Sequence, residues 1–272
     1  MFISDPYRRH TMPAHFGPLD RKQQEAPFSA WYNDTTMIAV NYVTDAEELA
    51  GYLPKGFEPA EEPVITVYFC CNKDVDWLAG HGYNMIGVNA AVVFKGQEET
   101  LEGTYSLVVW ENLADPIIRG RELQGIPKIF ADIPDHTEQD GKFSTSASHF
   151  GHKIIDIAIE NLFPLNEELI AQFAESQVGK DHPMTCRYIE AMGDPSTGLN
   201  QIITFPSESI HREFLVGEGS VEWQQLTWEQ NPTQFHIVNA LAGLPILSYL
   251  PSLVTKGSMN VEPEGRPMRV LK

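Results

Sequence analysis

The chain has 272 residues and 42% hydrophobic content, enough for a sizeable core and, by length, for one large domain or two. Nineteen basic against thirty-seven acidic residues give a formal charge of −18. That field repels nucleic acid and anionic lipid and excludes both as partners, and it obliges any site for an anionic small molecule to carry local positive charge.

The three cysteines cannot all pair within one chain, and no C-x-x-C spacing exists; Cys70 and Cys71 adjoin in an apolar run while Cys186 stands far off. Adjacent strand residues point to opposite faces, so three reduced thiols in a reducing compartment are expected. The first ten residues lack an apolar core behind Arg8 and Arg9, so no secretory signal is expected. No apolar run reaches the length of a membrane span, and a cytoplasmic location is expected by default.

Residues 1–30, rich in Pro, His and charge, read as an extended N-terminal arm, and 31–272 as a single domain. The β-branched run 35–43 predicts a strand. Thr44 with Glu47 reads as a capping box for a helix over 45–53, stopped by Pro54 and Gly56. Strands are predicted at 64–71, 85–94, 104–110, 143–150 and 153–159. The last is apolar enough to suggest cover on both faces or a subunit interface. Asn166, followed by Glu167 and Glu168, predicts a helix over 166–174. Strands at 184–191, 201–205 and 221–226 and a helix over 235–242 complete the series. Gly217-Glu218-Gly219-Ser220 reads as a turn. The fold class is α+β, mainly β, with a few short helices.

The stretch with most chemical content is Gly120-Arg121-Glu122-Leu123-Gln124-Gly125-Ile126-Pro127-Lys128. Lys128 sits among Ile126, Pro127, Ile129 and Phe130, and burial would make it a weaker base than a solvated lysine. A neutral amine attacks a ketone or aldehyde to form an imine. The plainer reading is a buried aliphatic stem whose head reaches water. Arg119 and Arg121 supply the positive charge that a keto acid would need, or else pair with surface carboxylates.

This segment resembles the acetoacetate decarboxylase family, whose members act through such an activated lysine; the G-R-E-L…P-K core matches in order and spacing. Thr44 to Leu49 with Leu53-Pro54, Glu62-Pro63-Val64, Gly219 to Trp223 and Leu244 to Leu247 look like further pieces of the family. The resemblance implies a cone-shaped antiparallel β-barrel, a lysine near its closed apolar end, and a homo-oligomer built on edge strands. It also implies a departure. In the decarboxylases a second lysine follows the imine-forming one, and here that position is Ile129. Thr35, Tyr68 and Met85 fall near positions that carry charge in the family, so the charged partners are expected to be gone.

Some members of the superfamily keep the lysine and condense an α-keto acid such as pyruvate with an aldehyde, then dehydrate the adduct. On that reading Lys128, Gln124 and Tyr83 are the catalytic candidates. Gln124 would hold a carboxylate or carbonyl oxygen, and Tyr83 would reach the pocket mouth. Arg121, Arg119, Met85 and Ile129 are the candidates for substrate binding, and Glu122 braces the loop against Arg121. The plainer reading of Gln124 is a strand-end amide bonding backbone, and that of Tyr83, the favoured one for a Tyr beside a glycine, is a packing residue with its hydroxyl in water. Tyr249 is a remoter candidate. The nine histidines show no metal pattern, His149 and His152 flanking a turn, and no nucleotide-loop or G-x-S-x-G motif occurs. No metal or organic cofactor is therefore called for, because the protein-bound iminium supplies the electron sink. The reading is a lyase for a small oxo acid, aldolase–dehydratase in type. Decarboxylation of a β-keto acid, or a non-catalytic barrel holding a small hydrophobic ligand, are the alternatives.

Overall fold

The computed structural model describes residues 8–9, 19–20, 30–176, 182–261 and 267–272. The arm expected over residues 1–30 lies outside the described residues, except for Ala30 and Arg8–Arg9 paired antiparallel with Leu19–Asp20.

Long β-branched runs form long strands. These are β1 (Trp31–Val43), β2 (Val64–Val75), β3 (Tyr83–Lys95), β4 (Thr100–Glu111), β5 (Lys128–Phe130), β6 (Lys142–His149), β7 (His152–Pro164), β8 (Pro183–Ile189), β9 (Leu199–Thr204), β10 (Glu208–Trp223) and β11 (Ser252–Asn260). The helices are α1 (Ala46–Ala50), α2 (Ala114–Arg119), α3 (Glu167–Ser176) and α4 (Phe235–Gly243). These eleven strands join one sheet, ten of them in the order β9-β8-β4-β3-β2-β1-β11-β10-β7-β6 and β5 off that path beside β4.

The outer edge of β4 is shared. Thr104 and Tyr105 pair with β8, and Val109 to Glu111 pair with β5. Both of these pairings are parallel, so the sheet is mixed rather than wholly antiparallel as expected. The helical crossover through α2 makes the parallel β4–β5 pairing possible. Beyond β5, Asp132 exchanges two backbone hydrogen bonds with Ser148 of β6, 2.7 and 2.9 Å. The path from β4 round to β6 thereby returns to β5, next to β4, through this one bridge.

One face of this sheet packs the main core. Ile38, Val40, Phe69, Ile86, Val88, Trp110, Phe143, Ile155, Ile157 and Val254 are buried there, with Val238 and Leu241 of α4. The opposite face of β2 to β4 is also covered, since Cys70, Val109 and Glu111 are buried too. Cover on both sides explains why residues 67–71 read as an unbroken apolar run. By contrast, β7 buries Ile155, Ile157 and Ile159 and leaves Asp156 and Glu160 outward, so it is one-sided over that stretch.

Some local expectations give way. The cap of α1 is Asp45, whose carboxylate accepts from the Glu47 and Glu48 amides at 2.9 Å, while Thr44 donates to the Pro245 carbonyl. Asn166 does cap α3, accepting from the Leu169 amide at 2.9 Å. Residues 217–220 lie inside β10 instead of in a turn. A Cβ on Gly217 would stand 2.5 Å from the Glu160 carbonyl, so glycine there serves close strand approach. Helix α2 was not expected, although Asp115 and Pro116 in its first turn and Arg119 in its last are recognised helix-end signals. Among the described residues, no helix is long and apolar enough to cross a membrane.

Candidate active site

Pairing across β2 to β5 sets side chains in rows on the face opposite the main core. Tyr68, Gly87, Val109 and Lys128 form one row; Cys70, Met85 and Glu111 form the next; Asn72 and Tyr83 a third. Alternation then puts Lys128 with Glu111 and Tyr68 on one face and Ile129 with Trp110 on the other.

Lys128 is buried, and its Nζ stands 2.8 Å from Glu111 Oε1 and donates to the Pro116 carbonyl at 3.2 Å. Pro116 lies in the first turn of α2, and α2 runs on into a π-helical turn, Gly120–Gln124, that lies against the lysine. A Cβ on Gly120 would sit 2.6 Å from Lys128 Cδ and Cε, so only glycine lets the helix come this close. Gly125 ends the turn at φ 65°, against the backbone of Arg187. Arg121 reaches back and donates to the Lys128 carbonyl at 2.9 Å. Behind the strand, Gln234 accepts from Trp110 Nε1 at 2.8 Å and donates to the Phe130 carbonyl at 2.9 Å, fixing β5 to β4 and α4.

Glu111 is fully buried, and desolvation raises its carboxyl above the usual range, with Lys128 pulling the other way. Next to the pair lies a small cluster formed by Tyr32, Val75 and Tyr83, with Trp77, Leu78, Met85, Leu113 and Met259 packed on it. The Tyr32 and Tyr83 hydroxyls are 3.1 Å apart, and Trp77 Nε1 donates to Tyr32 at 3.3 Å. Burial raises both phenols, and both feel Glu111. The Arg119 guanidinium lies over the Trp77 ring at 5.1 Å and acts on Tyr32 from there. Asp74 at φ 50° interrupts the alternation of β2 just before Val75, where Tyr32 pairs with it. Deeper in the third row, Thr35 donates to Asn72 Oδ1 at 3.2 Å, while Asn72 Nδ2 is buried without a hydrogen-bond partner among the described residues.

The structure thus gathers Lys128, Tyr83, Met85 and Arg119 about one face, and Thr35 and Tyr68 share it. Tyr83 is buried within β3 and does not stand at a mouth. Ile129 is turned away, packed on the main core, so it does not line the site. Arg121 holds backbone and is exposed, which makes it a brace for Lys128 more than a ligand for substrate. Glu122 is half-buried on the same π turn. Gln124 ends that turn, its carbonyl accepting from Thr185 at 2.5 Å. Tyr249 is engaged elsewhere, with its hydroxyl against the Val221 backbone. Thr35, Tyr68 and Met85 bring no charge to this face, and its carboxylate comes from Glu111, a residue the sequence reading did not name. The signal for it was a lone acid, two residues after Val109, closing the apolar strand Leu107-Val108-Val109-Trp110.

The family model described as acetoacetate decarboxylase (ADC) matches residues 11–260. No curated protein matches the chain in sequence. Among solved structures, acetoacetate decarboxylase from Legionella pneumophila subsp. pneumophila str. Philadelphia 1 is similar at 18% identity and TM-score 0.71, over 94% of this chain and 92% of that one. An acetoacetate decarboxylase-like enzyme from Sphingomonas wittichii RW1 is similar at 15% identity and TM-score 0.66, over 90% and 94%. The enduracididine biosynthesis enzyme MppR, complexed with the condensation product of pyruvate and imidazole 4-carboxaldehyde, follows at 15% identity and TM-score 0.60, over 93% and 94%. At these identities the likenesses speak for the fold.

Proposed function

The chain belongs to the acetoacetate decarboxylase family, and we propose that it is a Schiff-base lyase for a small oxo acid, with Lys128 as nucleophile. The observation that carries this reading is the buried pair of Lys128 and Glu111, 2.8 Å apart. Burial disfavours two charges, and a carboxyl raised by desolvation is a ready acceptor for the ammonium proton. Transfer leaves a neutral amine held between Glu111 and the Pro116 carbonyl. The amine adds to the keto carbon, water leaves, and the iminium that forms has the Glu111 carboxylate as its counter-charge. The iminium then draws electrons from the neighbouring carbon, giving an enamine. We assign Arg119, whose guanidinium lies over Trp77 at 5.1 Å, to the substrate carboxylate.

We favour the aldolase–dehydratase branch, in which the enamine adds to an aldehyde and the adduct loses water. Thr35, Tyr68 and Met85 are neutral, and the carboxylate on this face, Glu111, is already committed to Lys128. The MppR complex, with a condensation product of pyruvate and an aldehyde, is consistent with that branch. Incubation with pyruvate or with acetoacetate, followed by borohydride and peptide mapping, tests the imine: an adduct on Lys128 is expected and is lost in Lys128→Ala. Turnover of pyruvate with imidazole 4-carboxaldehyde, against carbon dioxide release from acetoacetate, tests the branch. Faster release from acetoacetate would overturn the aldol assignment, and no adduct with either ketone would favour a ligand-binding barrel.

A further inference from the structure

Tyr68 is a half-buried phenol on the lysine face that the steps above leave without a task. Its ring crosses Gly87 so closely that a Cβ at Gly87 would collide with both the ring and the hydroxyl. The phenol therefore points along its own row, over Gly87 and toward Val109 and Lys128. From Gly87 to Lys128 is two strand spacings, roughly 10 Å, a gap that the lysine side chain and a small substrate share. Its hydroxyl has no hydrogen-bond partner among the described residues. Glu111, which holds the amine, also acts electrostatically on this phenol. Tyr83 differs, because its hydroxyl is already bonded to Tyr32.

We propose that Tyr68 is a catalytic residue of imine formation, donating a proton to the substrate carbonyl oxygen as Lys128 attacks. The inference rests on the lysine-imine reading. As the Nζ lone pair forms the C–N bond, the carbonyl π pair moves to oxygen, which takes the Tyr68 proton. The nitrogen, now carrying an extra proton, returns it to the Tyr68 phenolate, leaving a neutral carbinolamine. Its hydroxyl takes the proton that Glu111 received from the ammonium and departs as water, and the nitrogen pair closes the C=N bond. The balance is ammonium plus ketone giving iminium plus water, with Tyr68 and Glu111 restored. Burial pushes the phenol well above its ordinary value. It therefore keeps its proton until a strongly basic alkoxide develops, which suits a donor for this one step. Gly87 is then the residue that gives the phenol its lane.

The test is the rate of borohydride-trapped pyruvate adduct on Lys128 in rapid-quench time courses, with acetoacetate as the second ketone. Tyr68→Phe keeps the ring and loses the proton, and is expected to slow adduct formation about 100-fold while the final labelled fraction stays high. Gly87→Ala, which displaces the ring, should slow it comparably. The solvent deuterium isotope effect on labelling should be marked in the parent enzyme and reduced in Tyr68→Phe, which a packing defect would not produce. Labelling of Tyr68→Phe at the parent rate would overturn the proposal and leave the imine reading standing. A lowered final labelled fraction with an unchanged isotope effect would assign Tyr68 to positioning and overturn it too. Absence of any adduct on the parent enzyme with both ketones would remove the imine reading and this step together.

Discussion

Lys128 and Glu111 form one unit, and each is costly without the other. Replacing Glu111 by Gln leaves the lysine head buried among Pro116, Gly120 and Val109 without counter-charge. A buried pair broken in this way costs about 3–5 kcal/mol, so a clear drop in the urea midpoint is expected, with adduct formation slowed as well. The double variant Glu111→Leu, Lys128→Met removes both charges and should recover most of that stability with no adduct at all. A double variant as unstable as Glu111→Gln would show that the pair also serves packing. Gly120 shows the same constraint by packing. Alanine is favoured over glycine in a helix by about 1 kcal/mol, yet its methyl would press on the buried Lys128 at Cδ and Cε, and overpacking of this kind costs about 1–3 kcal/mol. Gly120→Ala is expected to lower both the melting temperature and the labelling of Lys128; unchanged values of both would show that the lysine has room to yield.

At the scale of elements, α2 and its π turn form a lid whose position depends on what precedes and follows it. Arg121 ties the turn to β5 through the Lys128 carbonyl, and Thr185 of β8 holds its end through Gln124. Arg121→Ala should therefore impair adduct formation more than it raises the concentration of pyruvate needed; a change confined to pyruvate affinity would restore Arg121 as a substrate ligand. Helix α1 offers a purely structural comparison. Asp45 accepts from two amides in its first turn, and Asp45→Ala is expected to cost about 1 kcal/mol with labelling of Lys128 unaltered.

For the whole molecule, the doubly covered strand β2 makes a pH prediction. Burial raises the Cys70 thiol to about 12 and the Cys71 thiol to about 11, the latter with help from Asp135. An unfolded chain ionises its thiols first, near the ordinary value of 9.0, so between that value and the raised ones the folded state binds more protons. Stability from these groups is complete below the unfolded value and is lost as pH rises through the folded ones. The urea midpoint should therefore fall from about pH 9 up toward about pH 11–12, and Cys70→Val should flatten part of that fall. An equally steep fall in that variant would place its cause elsewhere. The same burial makes both thiols slow toward a thiol reagent near neutral pH relative to the denatured chain.

The sequence by itself determined most of the strands, though not Lys128–Phe130 or the larger part of Glu208–Trp223, with the helices of 166–174 and 235–242, the mainly β class and the lysine-bearing motif. Each of these rests on short-range information: β-branched runs, caps, glycine and proline stops, and a contiguous block of residues. It also singled out Thr35, Tyr68 and Met85 as neighbours of the lysine, through a resemblance and not through spacing. Only the tertiary structure decided that Glu111 is the partner of Lys128, because they stand seventeen positions apart across a helical crossover and parallel pairing with β4 brings them together. Only the pleat decided that Ile129 faces the main core, since adjacent strand residues take opposite sides. The closeness of Gly120 to the amine and of Gly87 to the Tyr68 ring likewise belongs to packing. A glycine in a sequence says that a side chain is absent, and only the fold says whose side chain fills the space.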